Sequence, residues 1–485
     1  MGLAGGAALM VLFRVFDRLI GLISVTLLAR LLTPADFGLV AMATSVVGLI
    51  ELMGAFGFDT ALIQRANAER RHFDTAWTFQ VLFGVVSGLL LLAVAYPASL
   101  FYNDPRIAWI VPMLAVSSVV NSLANIGPVM FRKELDFARE FKFLLAKRLL
   151  GFIVTLVTAW ILRDYWALVV GIVVGTAASV AVSYAVHPYR PRFSLAARDE
   201  LLHFSKWLFL SNLLQYVQGS TDKFVLGRVV GAGELGVYNL ASEVAQLPTT
   251  AIIAPINRAT YPAYAELHRD LPALEVKFLS VIGYVAAIAF PLSLGLAVLA
   301  EPVVALLLGA QWMGAVPLLQ LFVLNGLVGS LVSNHYALIT AMGHPRTVTL
   351  ILSVMACAYL PSIVLGSIHH GTTGAAVAIV TVTTLGAIPL HVAFFRLTRF
   401  AIGPYVRRLV RPALAGVAAL AAAQGVLHGL GAVPSLVQAV VGGAAFGAVY
   451  LGTLGGLWAL AGSARDSVEH DVLVRLRGWL GRFAA

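Results

Sequence analysis

Cysteine is nearly missing from this sequence: Cys357 is the single one among 485 residues. A lone thiol inside an apolar run closes no intrachain disulfide and builds no cysteine metal site, so it reads as a small apolar filler. Charge is scarce too, at 12% of residues, and acids are outnumbered, with 23 Asp and Glu against 33 Lys and Arg. The chain carries no phosphate loop, nucleophile elbow or zinc-binding helix motif, and nothing in it calls for a cofactor. His369 and His370 adjoin, but they lack the carboxylate or cysteine framework of a metal site. No basic region precedes the first apolar run, and Arg14, Asp17 and Arg18 interrupt that run, so a cleaved signal peptide is not expected.

What remains is apolar. At 60% hydrophobic residues and a mean hydropathy of +0.89, a chain of this length does not fold as a water-soluble particle. Continuous apolar runs of about 20 residues cross a bilayer as helices, whereas a barrel needs short alternating strands. The expected fold is an all-α polytopic membrane protein. A window of about 19 residues places about fourteen spans, near 9–30, 37–63, 75–97, 107–130, 146–162, 165–186, 205–226, 235–257, 277–299, 314–341, 346–367, 372–395, 404–428 and 434–461.

Basic residues sort to one side of these spans. Arg65, Arg70, Arg71, the cluster over 132–148, Arg190, Arg192, Lys277, Arg346 and the group over 396–411 share a side, while Arg30, Arg106, Arg163, Lys223 and Arg228 take the other. The richer side is expected to be cytoplasmic, with both termini on it. The surplus charge of +10 then serves topology and contact with anionic membrane lipids rather than nucleic acid.

Two stretches repeat one layout. In ARLLTPADFGL, residues 29–39, Arg30, Asp36 and Gly38 stand as Arg228, Glu234 and Gly236 do in GRVVGAGELGV, residues 227–237, each pair offset by 198. Thr33, Pro34 and Asp36 have the form of a capping box with proline in the first helical turn; in the second copy Gly231 takes the cap position and Glu234 the acidic one. Both read as tight helical hairpins at the outer membrane face. A shift of 198 residues carries the first six spans onto the next six, and an even number makes the repeat parallel, as in transporters that hold substrate between two halves. The expected division is an N-lobe over 1–197, a C-lobe over 198–399, two further helices over 400–462, and a tail over 463–485. Val468, Val472, Leu476, Trp479, Leu480 and Phe483 make that tail an amphipathic, interfacial helix.

The stretches LLARLLTPADFGLVAMATS, FDTAWTFQ, MFRKELDF, TDKFVLGRVVGAGELGVYNLA and PINRATYPAYAEL carry a likeness. Over residues from about 13 to 400 the sequence resembles the oligosaccharide flippases and polysaccharide transporters (Wzx, WzxC-like) of the multidrug/oligosaccharidyl-lipid/polysaccharide exporter superfamily. The resemblance implies a two-lobed transporter, not an enzyme, of the bacterial inner membrane. Its cargo would be an undecaprenyl-diphosphate-linked glycan, moved outward for O-antigen, exopolysaccharide or capsule biosynthesis, with glycosyltransferases and a polymerase as possible partners. A multidrug exporter of the same superfamily is the nearest alternative. A membrane-embedded glycan polymerase or ligase is further off, because the outer loops are too short to hold its acid and base.

Polar residues at helical spacing mark where cargo could touch the spans. Span seven offers Ser211, Gln215, Gln218 and Asp222, and span eight Asn239, Glu243, Gln246, Thr250 and Asn257; span four adds Asn121 and Asn125, and span ten Asn325, Asn334, His335 and Tyr336. Amides bind sugars, and they also join helices to one another. Charges within spans cost about 2.5–3.5 kcal/mol at the helix centre, so each asks for a cavity, partner or interface. Arg14 and Arg18 share a face and match a diphosphate's acceptor oxygens. Lys147, Arg148, Lys206 and Arg258 stand near the ends where that group would enter. Asp17, Glu51, Asp59, Asp222 and Glu243 are the carboxylates available to carry a coupling proton or sodium ion.

Overall fold

The computed structural model describes residues 3–54, 57–65, 67–200, 216, 219–431 and 433–460. Helices fill it, and no strand occurs among the described residues. In chain order they begin with α1 (Leu3–Leu31), α2 (Pro34–Glu51), α3 (Phe58–Gln64), α4 (Arg70–Tyr102), α5 (Ile107–Ser122), α6 (Val129–Lys133), α7 (Phe137–Leu162) and α8 (Tyr165–Val186). Gly231–Pro248, Ala254–Leu267, Leu271–Val298, Ala300–Leu307, Ala315–Ala341, Pro345–Thr398, Ile402–Leu430 and Ser435–Leu460 follow. Among the described residues nine helices are long and apolar enough to cross a membrane. Most of the span expected at 205–226, and the whole tail over 463–485, lie outside the described residues.

Four spans differ in detail from expectation. The one read as 37–63 breaks after α2 into a 3-10 turn over Leu52–Gly54 and the short α3, whose entry residue Gly57 has φ 65°. Only a residue without Cβ adopts that left-handed conformation at little cost, so the break is written at the glycine. The span read as 235–257 runs on to Leu267 through a π-helical turn at Thr249–Ile253. Two expected spans join in the 54-residue Pro345–Thr398 segment, which is interrupted at His370 (φ −138°) and Gly371 (φ 58°).

Packing divides the chain into two compact units, residues 1–239 and 240–485. The described residues from 198 to 239 thus belong with the first unit. There α1 and α7 lie side by side: Gly6 meets the Phe137 ring, Phe13 meets Phe141 edge-on at 6.3 Å, and Asp17 meets Arg148. These pairings rise together along both helices, so the two run parallel, as spans with an odd number of crossings between them must. Tyr96, Phe101, Trp109 and Trp160 are exposed toward one end of α4, α5 and α7, where amphipathic rings suit a membrane–water boundary. In the second unit the core gathers around Phe278, Leu338, Leu390 and Phe394, and a smaller cluster packs Ala415, Ala419 and Ala423 against Phe446 and Tyr450.

Candidate functional site

The opening hairpin forms as its residues dictate. The Asp36 carboxylate accepts from the Thr33 backbone N–H at 2.8 Å and from the Thr33 hydroxyl at 2.6 Å, completing the capping box, with Pro34 in the first turn. The second copy packs against it with matched geometry. A Cβ placed on Gly38 would lie 1.7 Å from the Ala232 carbonyl oxygen, and one placed on Gly236 would lie 1.8 Å from that of Pro34. Since 232 and 236 are the counterparts of 34 and 38, each copy presents the same two positions to the other. A local two-fold axis therefore runs between the hairpins, and only glycine permits the approach. Behind them the Tyr102 hydroxyl meets the Ser45 hydroxyl at 2.9 Å. Tyr216 donates to the Ser45 carbonyl.

On α1 the three charges part company. Asp17 turns to α7, where its carboxylate lies 2.9 Å from Arg148 Nε. Arg14 and Arg18 are exposed, and neither enters an ion pair among the described residues. Lys147, next to Arg148, sits over the Phe143 ring at 5.2 Å. Ser118 donates to Glu51. The buried Asp222 accepts from the Tyr238 hydroxyl at 3.1 Å and from the Lys223 backbone N–H at 2.9 Å, so Lys223 meets it through the main chain. Asn239 is half-buried, while Glu243, Gln246 and Arg258 are exposed; Gln246 donates to Ser242 at 3.1 Å. Lys206, Gln215 and Gln218 lie outside the described residues.

Several amides singled out in the sequence join helices. Asn125 donates to the carbonyls of Ser183, His187 and Tyr189 at 3.3, 3.3 and 2.9 Å. Asn257 donates to Ser333 at 2.8 Å, Asn334 donates to Asn257 at 3.1 Å, and Tyr264 donates to Asn334 at 2.7 Å. These bonds tie Ala254–Leu267 to Ala315–Ala341, and they leave little of either amide for cargo.

Sequence reasoning missed the role of FDTAWTFQ. Its Asp74 accepts from the Tyr189 hydroxyl at 2.7 Å and the Arg192 N–H at 2.9 Å; Thr78 accepts from the Ser194 N–H at 2.9 Å, and Thr75 from the Ala197 N–H at 3.2 Å. Residues 187–197, the join between the two repeats, thus lie along the first turns of α4. Just beyond, Glu200 is gripped by Arg65, Arg71 and His72. The hydrogen bond from His72, helped by the two guanidinium charges against a smaller opposing effect of burial, holds the Glu200 carboxyl below its usual 4.5. Burial and the bond to Asp74 push the Tyr189 phenol well above its usual range. The sequence signal was available: three short acceptors spaced one and three residues apart at a helix start suit a strand of main chain running beside it.

The sequence profile of a family described as "Polysaccharide biosynthesis protein" matches residues 27–317. The chain is 27% identical over 399 residues to the lipopolysaccharide biosynthesis protein WzxC of Escherichia coli (strain K12), covering 81% of this chain and 80% of that one. It is 22% identical over 432 residues to the succinoglycan biosynthesis transport protein ExoT of Rhizobium meliloti (strain 1021), covering 88% and 87%. In fold it is similar to the lipid II flippase MurJ in an inward closed conformation, with a TM-score of 0.74, 13% identity, and 92% and 98% of the two chains covered.

Proposed function

Because this chain belongs to the polysaccharide biosynthesis protein family, we propose that it is a flippase that moves a polyprenyl-diphosphate-linked oligosaccharide across the bacterial inner membrane. Export would proceed by alternating access. The roles that WzxC and ExoT are named for, in lipopolysaccharide and succinoglycan biosynthesis, support glycan over drug as the cargo. One observation carries the reading to the residues. With Asp17 directed at Arg148, two exposed guanidiniums, Arg14 and Arg18, remain on an apolar helix without an anion of the protein among the described residues. Their i, i+4 spacing puts both on one face, where a planar pair of donors matches phosphate oxygens and a lysine ammonium does not.

On this reading Arg14 and Arg18 take the diphosphate, and Lys206 and Arg258 extend the cationic path. Gln215, Gln218, Asn239 and Gln246 face sugar hydroxyls. Coupling to a proton or sodium falls to a carboxylate among Asp17, Glu51, Asp222 and Glu243, with both termini in the cytoplasm. The test is surface glycan at matched membrane abundance. Arg14→Lys and Arg18→Lys are expected to lower export with charge conserved, and Ala to lower it further, while the exposed Arg407→Ala leaves it intact. Full export by both Ala variants would remove these arginines from cargo binding.

A further inference from the structure

One buried cluster in the second unit is unused by that reading. His335, on Ala315–Ala341, is fully buried, and its ring centroid lies 4.6 Å from that of His391, on the second half of Pro345–Thr398. Phe278 and Phe394 close around His335 at 5.2 and 4.5 Å. A neutral imidazole has one donor and one acceptor nitrogen. Here both Nδ1 atoms face main-chain carbonyls one turn back, His335 that of Leu331 at 3.1 Å and His391 that of Ala387 at 2.7 Å. Each Nδ1 therefore carries the hydrogen, and each Nε2 is an acceptor. His391 Nε2 accepts from the Tyr405 hydroxyl at 2.9 Å. His335 Nε2 is buried and has no hydrogen-bond partner among the described residues.

A buried acceptor left unfilled is destabilising, a cost that an apolar side chain of similar size would avoid. Imidazole is also the side chain whose charge ordinarily changes near neutral pH, and ionisable groups at membrane depth are rare unless they work. We propose that His335 and His391 form a proton-binding pair, with His335 Nε2 as the acceptor and Tyr405 as the hydroxyl joining the pair to the helix ends that carry Arg396 and Arg407. Uptake is a simple addition: the Nε2 lone pair forms an N–H bond with a proton released by hydronium. That new N–H finds no acceptor among the described residues in the present packing, since no hydrogen-bonding atom lies within reach of His335 Nε2. Proton uptake and a shift in how these helices pack are therefore one event.

The other titratable groups nearby fit this picture. Tyr264 stands behind Phe278 at 6.5 Å and donates to Asn334. Tyr336 turns to the Met355 sulfur. Glu275, one turn before Phe278, accepts the Ala401 N–H at 3.0 Å, and Arg408 is half-buried one turn beyond Tyr405. Among the described residues no ion pair includes either histidine.

The role in coupling rests on the transporter reading above; proton binding does not, so its test uses no glycan. The full chain, with the exposed Cys357 replaced by serine and spin labels at Arg346→Cys and Arg407→Cys, is reconstituted in lipid bilayers. Nitrogen-15 histidine spectra and the label distance are followed from about pH 8 to about pH 3. Expected are conversion of the His335 or His391 signals to the imidazolium pattern and a distance shift with the same midpoint. His335→Gln and His391→Gln should each displace or abolish both. Should neither insert, Tyr405→Phe, which keeps the ring, is expected to displace the midpoint by itself. The proposal is overturned by ring signals that stay neutral throughout, by titration at a fixed label distance, or by a distance shift that persists unchanged in the variants.

Discussion

Gly38 shows how little room a single residue can leave. A methyl group there would overlap the Ala232 carbonyl at 1.7 Å, and main chain cannot swing aside as a side chain tip does. Gly38→Ala should therefore destabilise by at least the 1–3 kcal/mol usual for overpacking, read as lost membrane abundance and a lower Tm. Gly233→Ala, where nothing lies within 4 Å, is the matched control and should be neutral. The Asp17–Arg148 pair makes the opposite case. Its side chains are 40% and 39% exposed, so neither charge is sealed in the protein interior, where breaking a pair costs several kcal/mol. Asp17→Asn is expected to keep normal abundance, and any loss of export in that variant then reports transport rather than folding.

At the scale of an element, α4 is both a span and a cradle for residues 187–197. Asp74→Ala would leave the Tyr189 hydroxyl and the Arg192 N–H without their acceptor, at about 1–3 kcal/mol for each group that water cannot reach. The expected outcome is faster trypsin cleavage after Arg192 in inside-out vesicles, with Asp74→Asn intermediate because one acceptor oxygen survives. The grip on Glu200 should also depend on acidity. Its folded carboxyl titrates below 4.5, so the stabilisation is present above 4.5 and is lost as pH falls through the folded value. Lowering the pH below about 4.5 should loosen residues 187–197, read as amide hydrogen exchange corrected for its intrinsic pH dependence, in the wild type but not in Glu200→Gln. Equal pH responses in the two would assign the effect to another group.

For the whole molecule the testable quantity is topology. Reporters fused after residues 70, 140, 197 or 270 are expected on the cytoplasmic side, and those after 104, 163 or 301 on the periplasmic side. The parallel run of α1 and α7 agrees with an even number of crossings between their starts. A periplasmic signal from within 132–148 would overturn the orientation, since six basic residues there oppose translocation.

Helices, approximate span ends, the capping box at Thr33 and the matched hairpins 198 residues apart were legible because they depend on local chemistry: apolar run length, a cap three residues from its acid, and spacing along one chain. Partnership was not. That Gly38 abuts the second hairpin, that Asp17 meets Arg148 rather than Arg14, and that Asn257 and Asn334 bond to each other depend on residues far apart in sequence reaching one place. The histidines illustrate the limit best. His335 was visible as a polar residue in an apolar run, but its neighbour His391 lies 56 positions on, and only the packing of helices around Phe278 sets the two rings 4.6 Å apart. Sequence periodicity assigns a residue to a face of its own helix; which face of which other helix it meets is settled by the simultaneous packing of them all.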